Sequence, residues 1–330
     1  LQNKQVEFFL SFIIRKNLRK RLIMRKELIF FVFIFSFFLS IDASAESPKS
    51  EFKESMLVTT EWLAENLNDP AIIVLYIGNK DEFNKMHIPG SRLFPIMDIF
   101  KQPTEDLNHE IPSLEELNDV VRSIGIKDDS RIILYYIEDW LTVATRVYLT
   151  FDYIGLAEQT SILDGGFAKW LEEDRIISSD LTKPSKSQIA VKINEQVMVD
   201  VNWINKNLRN PEVVLIDSRP EEFYDGSEKE DFIKKFGHIT GAVSIPFLEI
   251  TIEDPPYKFK DKKDLEKLFL ESGVKPGSTV VVYCNTGIWA SLDYFTAKYL
   301  GYDTRFYDGS FEEWTKDDTL PVTEPVKISN

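Results

Sequence analysis

The sequence predicts an α/β protein with two domains, each a mainly parallel sheet flanked by helices. Three observations predict it. Short, almost wholly apolar runs recur, among them IIVLYI from Ile72, VVLID from Val213 and TVVVY from Thr279. Runs of this length without polar alternation mark strands buried on both faces, as in parallel sheets. Segments of helical periodicity stand between them, and that alternation builds a sheet covered on both sides. Finally, the chain repeats itself. EWLAENLNDPAIIVLYI (from Glu61) matches NWINKNLRNPEVVLIDS (from Asn202), and MHIPGSRLFPI (from Met86) matches GHITGAVSIPF (from Gly237). GIKDDSRIILYY (from Gly125) matches GVKPGSTVVVYC (from Gly273), and LDGGFAKW (from Leu163) matches YDGSFEEW (from Tyr307). Four blocks in the same order, at a domain-sized spacing, are two copies of one unit.

The elements of the second copy read in order. VNWINKNLRN is a short helix after the strand-like VMV. EVVLIDS is a buried strand, followed by a long loop and the strand GAVSIPF. KDLEKLFLESG is a helix with Leu265, Leu268 and Phe269 on one face and Gly273 ending it. TVVVYC is the next central strand. WASLDYFTAKYLG is a helix turning Leu292, Phe295, Tyr299 and Leu300 inward, and DTRFYDGSFEEW closes with a strand and a short helix. The copies span residues 58–174 and 198–320. The polar, proline-containing stretch between them, 175–197, is a linker, and 321–330 is a tail.

The amino terminus predicts a leader. From Met24 a basic pair, Arg25 and Lys26, precedes an apolar run from Leu28 to Ile41 and the small-x-small pattern Ala43-Ser44-Ala45. This is the build of a secretory signal peptide, so residues 1–45 are expected to be signal and upstream residues, and the mature chain periplasmic or secreted. The net charge of −15, from 39 basic and 54 acidic residues, disfavours nucleic acid and anionic membrane as partners. The chain has one cysteine, Cys284. In an oxidising compartment a lone thiol is exposed to oxidation unless shielded, which suggests a task for it.

Cys284 falls at the carboxyl end of a central strand, where ligands of such sheets bind. The loop after it, Asn285, Thr286, Gly287, Ile288 and Trp289, must turn tightly before the next helix, and Gly287 lets the backbone come close. The N–H groups of this loop are expected to point at the sulfur and at anything bound to it, lowering the thiol pKa. Two chemistries use such a cradle. Thiolate phosphatases need an arginine six residues past the cysteine, where this chain has Ala290. Sulfur transfer needs only the thiolate, which becomes a persulfide and passes its outer sulfur on.

On LIDSR (from Leu215), GHITGAVSIPF, VVYCNTGIWAS (from Val281) and YDGSFEEW, in order and duplicated, the chain resembles the two-domain rhodaneses, the thiosulfate and 3-mercaptopyruvate sulfurtransferases. The resemblance covers about residues 58–320 and implies two rhodanese-like domains. It implies Cys284 as the sulfur acceptor, a cradle from Asn285 to Trp289, and Asp217 and Arg219 as an ion pair fixing the loop; unaided, that pair reads equally as a surface contact. It offers His87, with the Thr286 hydroxyl, for proton handling. His238 is either a similar group or a histidine satisfied at a strand start. Tyr136 stands opposite Cys284 in the first copy, beside the acidic Glu138 and Asp139, so that copy is expected to be inactive and to wall the cleft.

Departures from the family pattern bear on the donor. Thiosulfate-type members carry two basic residues where this chain has Asn285 and Thr286. Mercaptopyruvate-type members have Gly-Ser there, and a small residue at Trp289. Both types use an arginine at the position of Phe223, for which a lysine, Lys235 above all among Lys229, Lys234 and Lys235, is the expected stand-in. The resemblance thus implies a sulfurtransferase taking sulfane sulfur from thiosulfate or 3-mercaptopyruvate to cyanide or a thiol. No cofactor and no metal are expected, the oligomeric state stays open with a monomer favoured, and no stable membrane association is expected once the signal is removed. A persulfide carrier served by a partner protein, and a non-catalytic interaction domain, are the alternatives.

Overall fold

Each repeat begins with a capped helix laid against a parallel sheet. The structure, a computed structural model, describes residues 56–101, 107–252 and 257–324. The expected signal peptide, residues 1–45, lies outside the described residues. In the first unit β1 (Leu57–Val58) leads into α1 (Thr60–Asn66), whose N-cap Thr59 accepts a hydrogen bond from the Trp62 N–H. Then come β2 (Ile72–Ile77), α2 (Lys80–Lys85), β3 (Arg92–Leu93) and α3 (Leu114–Ser123), which opens with a Ser113–Glu116 capping box. β4 (Arg131–Tyr136), α4 (Leu141–Tyr153), β5 (Thr160–Leu163) and α5 (Gly166–Glu172) complete the unit. The sheet order is β1-β5-β4-β2-β3, with every pair parallel.

The second unit repeats this plan. It runs β6 (Met198–Val199), α6 (Val201–Asn207), β7 (Val213–Asp217), α7 (Glu221–Tyr224), β8 (His238–Ile239), β9 (Val243–Ser244), β10 (Thr251–Ile252) and β11 (Lys258–Phe259). α8 (Lys262–Glu271), β12 (Thr279–Tyr283), α9 (Ala290–Tyr299), β13 (Asp303–Tyr307), α10 (Ser310–Trp314) and β14 (Val322–Thr323) follow. Its main sheet is β6-β13-β12-β7-β9, parallel throughout, the same order as the first. The duplication seen as matched blocks is therefore a duplication of topology. Matching cores lie on one face of each sheet: Tyr76, Tyr135, Phe167 and Trp170 in one, Leu215, Tyr283, Phe311 and Trp314 in the other.

GAVSIPF is strand only over Val243–Ser244. Pro246 then caps a 3-10 turn at Phe247–Glu249, since a proline cannot extend a hydrogen-bonded ladder. Two antiparallel pairs, β10 with β11 and β8 with β14, add to the parallel plan. The linker lies along the first unit. The Ser187 N–H donates to Arg122, the Asn194 N–H to Tyr153, and Ser178 exchanges both backbone bonds with His87.

Both sheets belong to one compact unit, Pro48–Asn330. The helices that follow the two central strands, α4 and α9, pack against each other. Thr145 and Ser291 share a hydroxyl hydrogen bond of 2.9 Å, Tyr148 meets Phe295 edge-on at 4.8 Å, and the Tyr294 hydroxyl donates to Asp152 at 2.8 Å. This pairing brings the carboxyl ends of β4 and β12 to the same region and sets the site between the units. Among the described residues no helix is long and apolar enough to cross a membrane.

Candidate active site

β12 carries Cys284 just past its last residue, Tyr283, which pairs with Asp217 of β7. The thiol is 1% exposed. Its Sγ accepts the Gly287 N–H at 3.1 Å, and the N–H groups of Thr286, Trp289 and Ala290 are also directed at it. The turn needs Gly287, whose φ of +86° lies in the left-handed region. The backbone cradle is thus present, with a different membership from that expected. Ala290, the first residue of α9, joins it, while Asn285 and Ile288 enter otherwise. The Asn285 side chain accepts from Arg219 at 3.4 Å, and the Ile288 carbonyl accepts from the Ser291 N–H and hydroxyl.

The thiol pKa departs from expectation. Burial pushes it above the ordinary value, and the four N–H groups pull it down without cancelling that. Hydrogen bonds from neutral amides stabilise a thiolate less than water removal destabilises it in so dry a place. The free enzyme therefore holds a shielded thiol rather than a standing thiolate.

Asp217 and Arg219 form the expected ion pair, fully buried. The Arg219 Nε and Nη2 donate to the two Asp217 oxygens at 2.8 and 2.6 Å. The Tyr283 hydroxyl donates to Asp217 at 2.7 Å, and Arg219 Nη2 also donates to the Gly237 carbonyl at 2.7 Å. The guanidinium stacks over Phe311, 4.1 Å from the ring centre. With Asn285 attached to Arg219, this pair ties the start of the loop to β7.

Two expectations are corrected, those for His87 and Lys235, and of the two readings for His238 the geometry supports the strand-start one. His87 is fully buried in the first unit's core, stacked on Phe83, with its ring nitrogens at the Phe83 and Asp180 carbonyls, 2.7 and 3.2 Å away. Both nitrogens are thereby committed to the backbone. His238 repeats that arrangement, stacked on Tyr224 with Nδ1 2.8 Å from its carbonyl, and is a strand-start histidine. Lys235 donates to the Asp317 carbonyl at 2.8 Å and holds the chain after α10, so it does not replace an arginine at the loop. At the position where that arginine is expected, buried Phe223 tilts against Trp289 at 6.1 Å, and Trp289 stacks on Phe247 at 5.2 Å. One side of the loop is an aromatic wall.

A third histidine, His109, approaches the loop. Its Nδ1 is 3.1 Å from the Thr286 hydroxyl, and its backbone sits at φ +58°. Burial and the nearby Arg146 charge, partly offset by Asp308, push its pKa down to about 4, so the ring is neutral at physiological pH. The segment around it is fastened to the second unit: Asn108 donates to Glu312 at 3.1 and 2.8 Å, and the Ile111 N–H to Asp308 at 2.8 Å. The chain has three histidines, and two are repeat partners; that the third is unmatched between copies was the only available signal.

Asp293, on the first turn of α9, is fully buried. Burial drives its pKa well above the carboxylate range, so it is a neutral acid. The folded state then holds a proton that the unfolded chain, with a pKa of about 3.9, releases. Stability should therefore fall as pH rises from about 4 towards the folded-state pKa, with a slope of up to about 1.4 kcal/mol per pH unit. Urea midpoints measured across this range should show that fall in the wild type and lose it in Asp293→Asn.

Comparison with known proteins agrees with this geometry. Residues 59–173 and 200–317 match the family description "Rhodanese-like domain". The chain is 28% identical over 274 residues to thiosulfate sulfurtransferase of Rattus norvegicus, covering 78% of this chain and 91% of that protein. It is 28% identical over 283 residues to 3-mercaptopyruvate sulfurtransferase of Escherichia coli, covering 82% and 98%. The crystal structure of SseA, a 3-mercaptopyruvate sulfotransferase of Escherichia coli, superposes with a TM-score of 0.68 at 26% identity, covering 77% of this chain and 98% of that one. With two copies of the fold in tandem, the chain belongs to the rhodanese-like domain family of the sulfurtransferase superfamily.

Proposed function

We propose that the protein transfers sulfane sulfur through a persulfide on Cys284. The observation that carries the reading is the ring of four N–H groups around a shielded sulfur at the carboxyl end of a central strand. Cys284 Sγ, as thiolate, attacks the outer sulfur of thiosulfate or the sulfur of 3-mercaptopyruvate. A sulfur–sulfur bond forms, and the donor leaves with its bonding electron pair, as sulfite or as the enolate of pyruvate. The cradle holds the resulting anionic outer sulfur. Cyanide or a thiolate then attacks that sulfur and Cys284 leaves as thiolate. The neutral His109 and the Thr286 hydroxyl relay the proton that an enolate requires, without placing a further charge beside the loop. An exported location belongs to this proposal on the strength of the leader-like stretch from Met24.

A second reading is favoured by the aromatic wall of Phe223, Trp289 and Phe247. With no arginine at Phe223 to clamp a small oxyanion, Cys284 accepts sulfur from a persulfide on a partner protein and acts as a carrier. One experiment separates them. The protein is incubated in turn with thiosulfate, 3-mercaptopyruvate and glutathione persulfide, and intact mass is read before and after cyanide. Gain of one sulfur atom from a small donor, lost to cyanide over many turnovers, supports the enzyme. Uptake only from the persulfide, with slow release, supports the carrier. No added sulfur from any donor refutes both. Uptake should accelerate with pH through neutrality into the alkaline range, since burial raises the thiol pKa.

A further inference from the structure

We propose that Arg146, on α4 of the unit that lacks the thiol, is a positioning residue of the sulfur-accepting loop. The inference rests on the reading of Cys284 given above. Arg146 is wholly buried, between the rings of Phe100 and Phe306, 5.4 and 5.5 Å from their centres. Its Nη1 donates to the Gly287 carbonyl at 3.0 Å. Its Nη2 donates to the His109 carbonyl at 2.9 Å and to Asp308 Oδ1 at 3.0 Å.

These bonds reach both working parts of the site. The Gly287 N–H meets Sγ at 3.1 Å while the Gly287 carbonyl is held by Arg146. The two peptide groups flank one Cα, so holding the carbonyl limits the φ and ψ of Gly287 that are open to the N–H facing Sγ. The fit is close: a Cβ at residue 287 would lie 2.8 Å from Nη1. The same guanidinium holds the backbone of His109, whose ring faces Thr286. A structural ion pair with Asp308 would use one edge of the fork. Here the remaining bonds go to the carbonyls of the cradle and of the histidine segment. Burying a cation is costly, and an apolar side chain would fill the space between two phenylalanines more cheaply. A lysine keeps the charge and loses the planar fork that serves three acceptors at once.

Arg146 also bears on the protonation of His109. The charged groups around that ring are Arg146 from α4, Asp308 after β13, Glu312 on α10 through its bonds to Asn108, and the adjacent Glu110. Removing the Arg146 charge therefore raises the His109 pKa from about 4 towards the ordinary value.

The test compares wild type, Arg146→Gln and Arg146→Lys by three readouts. They are the His109 titration by proton NMR, the pH profile of Cys284 alkylation by iodoacetamide, and sulfur uptake from the best donor. In Arg146→Gln the His109 midpoint is expected to rise and the alkylation profile to shift, with uptake falling by about 10²-fold, the scale of a small misplacement. Arg146→Lys keeps the low His109 midpoint and still loses uptake at an unchanged melting temperature; it decides the matter if Arg146→Gln does not fold. Wild-type alkylation and uptake in folded Arg146→Lys overturn the proposal. The alkylation readout needs no sulfur donor. A shifted profile with no uptake even in the wild type leaves the positioning role standing and removes the function. Uptake in the wild type that both folded variants match removes the positioning role and leaves the function.

Discussion

Cys284→Ser is expected to take up no sulfur from any donor and to keep its fold. The loss should be complete to the level of the uncatalysed background, because a serine hydroxyl has no thiolate chemistry to offer and this chain has no second cysteine. The fold should hardly notice. A serine Oγ is an acceptor for the N–H groups that now face sulfur, so no buried donor is left without a partner, and stability should change by about 1 kcal/mol or less. Thermal melts and intact mass on the same samples check both halves. Sulfur retained by the variant would remove Cys284 as the acceptor.

Arg219→Ala is expected to cost the most stability of any single change near the site. It leaves Asp217 buried and charged without its guanidinium, a situation that costs about 3–5 kcal/mol. It also strips a partner from the Gly237 carbonyl and from Asn285. Equilibrium urea denaturation should show the loss directly. Sulfur uptake measured well below the midpoint should fall as well, since the loop start is then untied from β7. A companion Asp217→Asn should also lose stability, because it leaves the buried Arg219 charge without its carboxylate, although the amide oxygen still accepts from Tyr283. A loss below about 1 kcal/mol in Arg219→Ala would place the pair among surface ion pairs, whose contribution is small.

Much of this was legible in the sequence, and the part that was not shares one property. The parallel sheets follow from apolar runs and from the internal match, both local signals. Cys284, its turn and the Asp217–Arg219 pair also rest on short segments. His109 and Arg146 do not: the first meets Thr286 across 177 residues and the second meets Gly287 across 141. No spacing rule reaches so far. His109 also lies between the matched blocks, so comparison of the copies passes over it. The family resemblance offered His87 instead, and misled, because the histidine shared by the two copies closes a loop in each, with Nδ1 at the carbonyl of Phe83 and of Tyr224. The thiol pKa was misjudged for a related reason. N–H groups can be inferred from a strand-to-helix turn, whereas complete exclusion of water from Cys284 depends on every element packed over it.

The contact between α4 and α9 has a consequence for how such a chain can change over generations. Tyr136 stands at the place that Cys284 holds in the second copy, and its hydroxyl donates to the Tyr257 carbonyl at 2.5 Å. One would expect the half without a cysteine to drift. Yet Thr145 answers Ser291, Asp152 answers Tyr294, and Arg146 reaches Gly287. Under the proposed function, a constraint on the Cys284 loop therefore falls on both halves, and the first half is free to vary only on the faces it does not share.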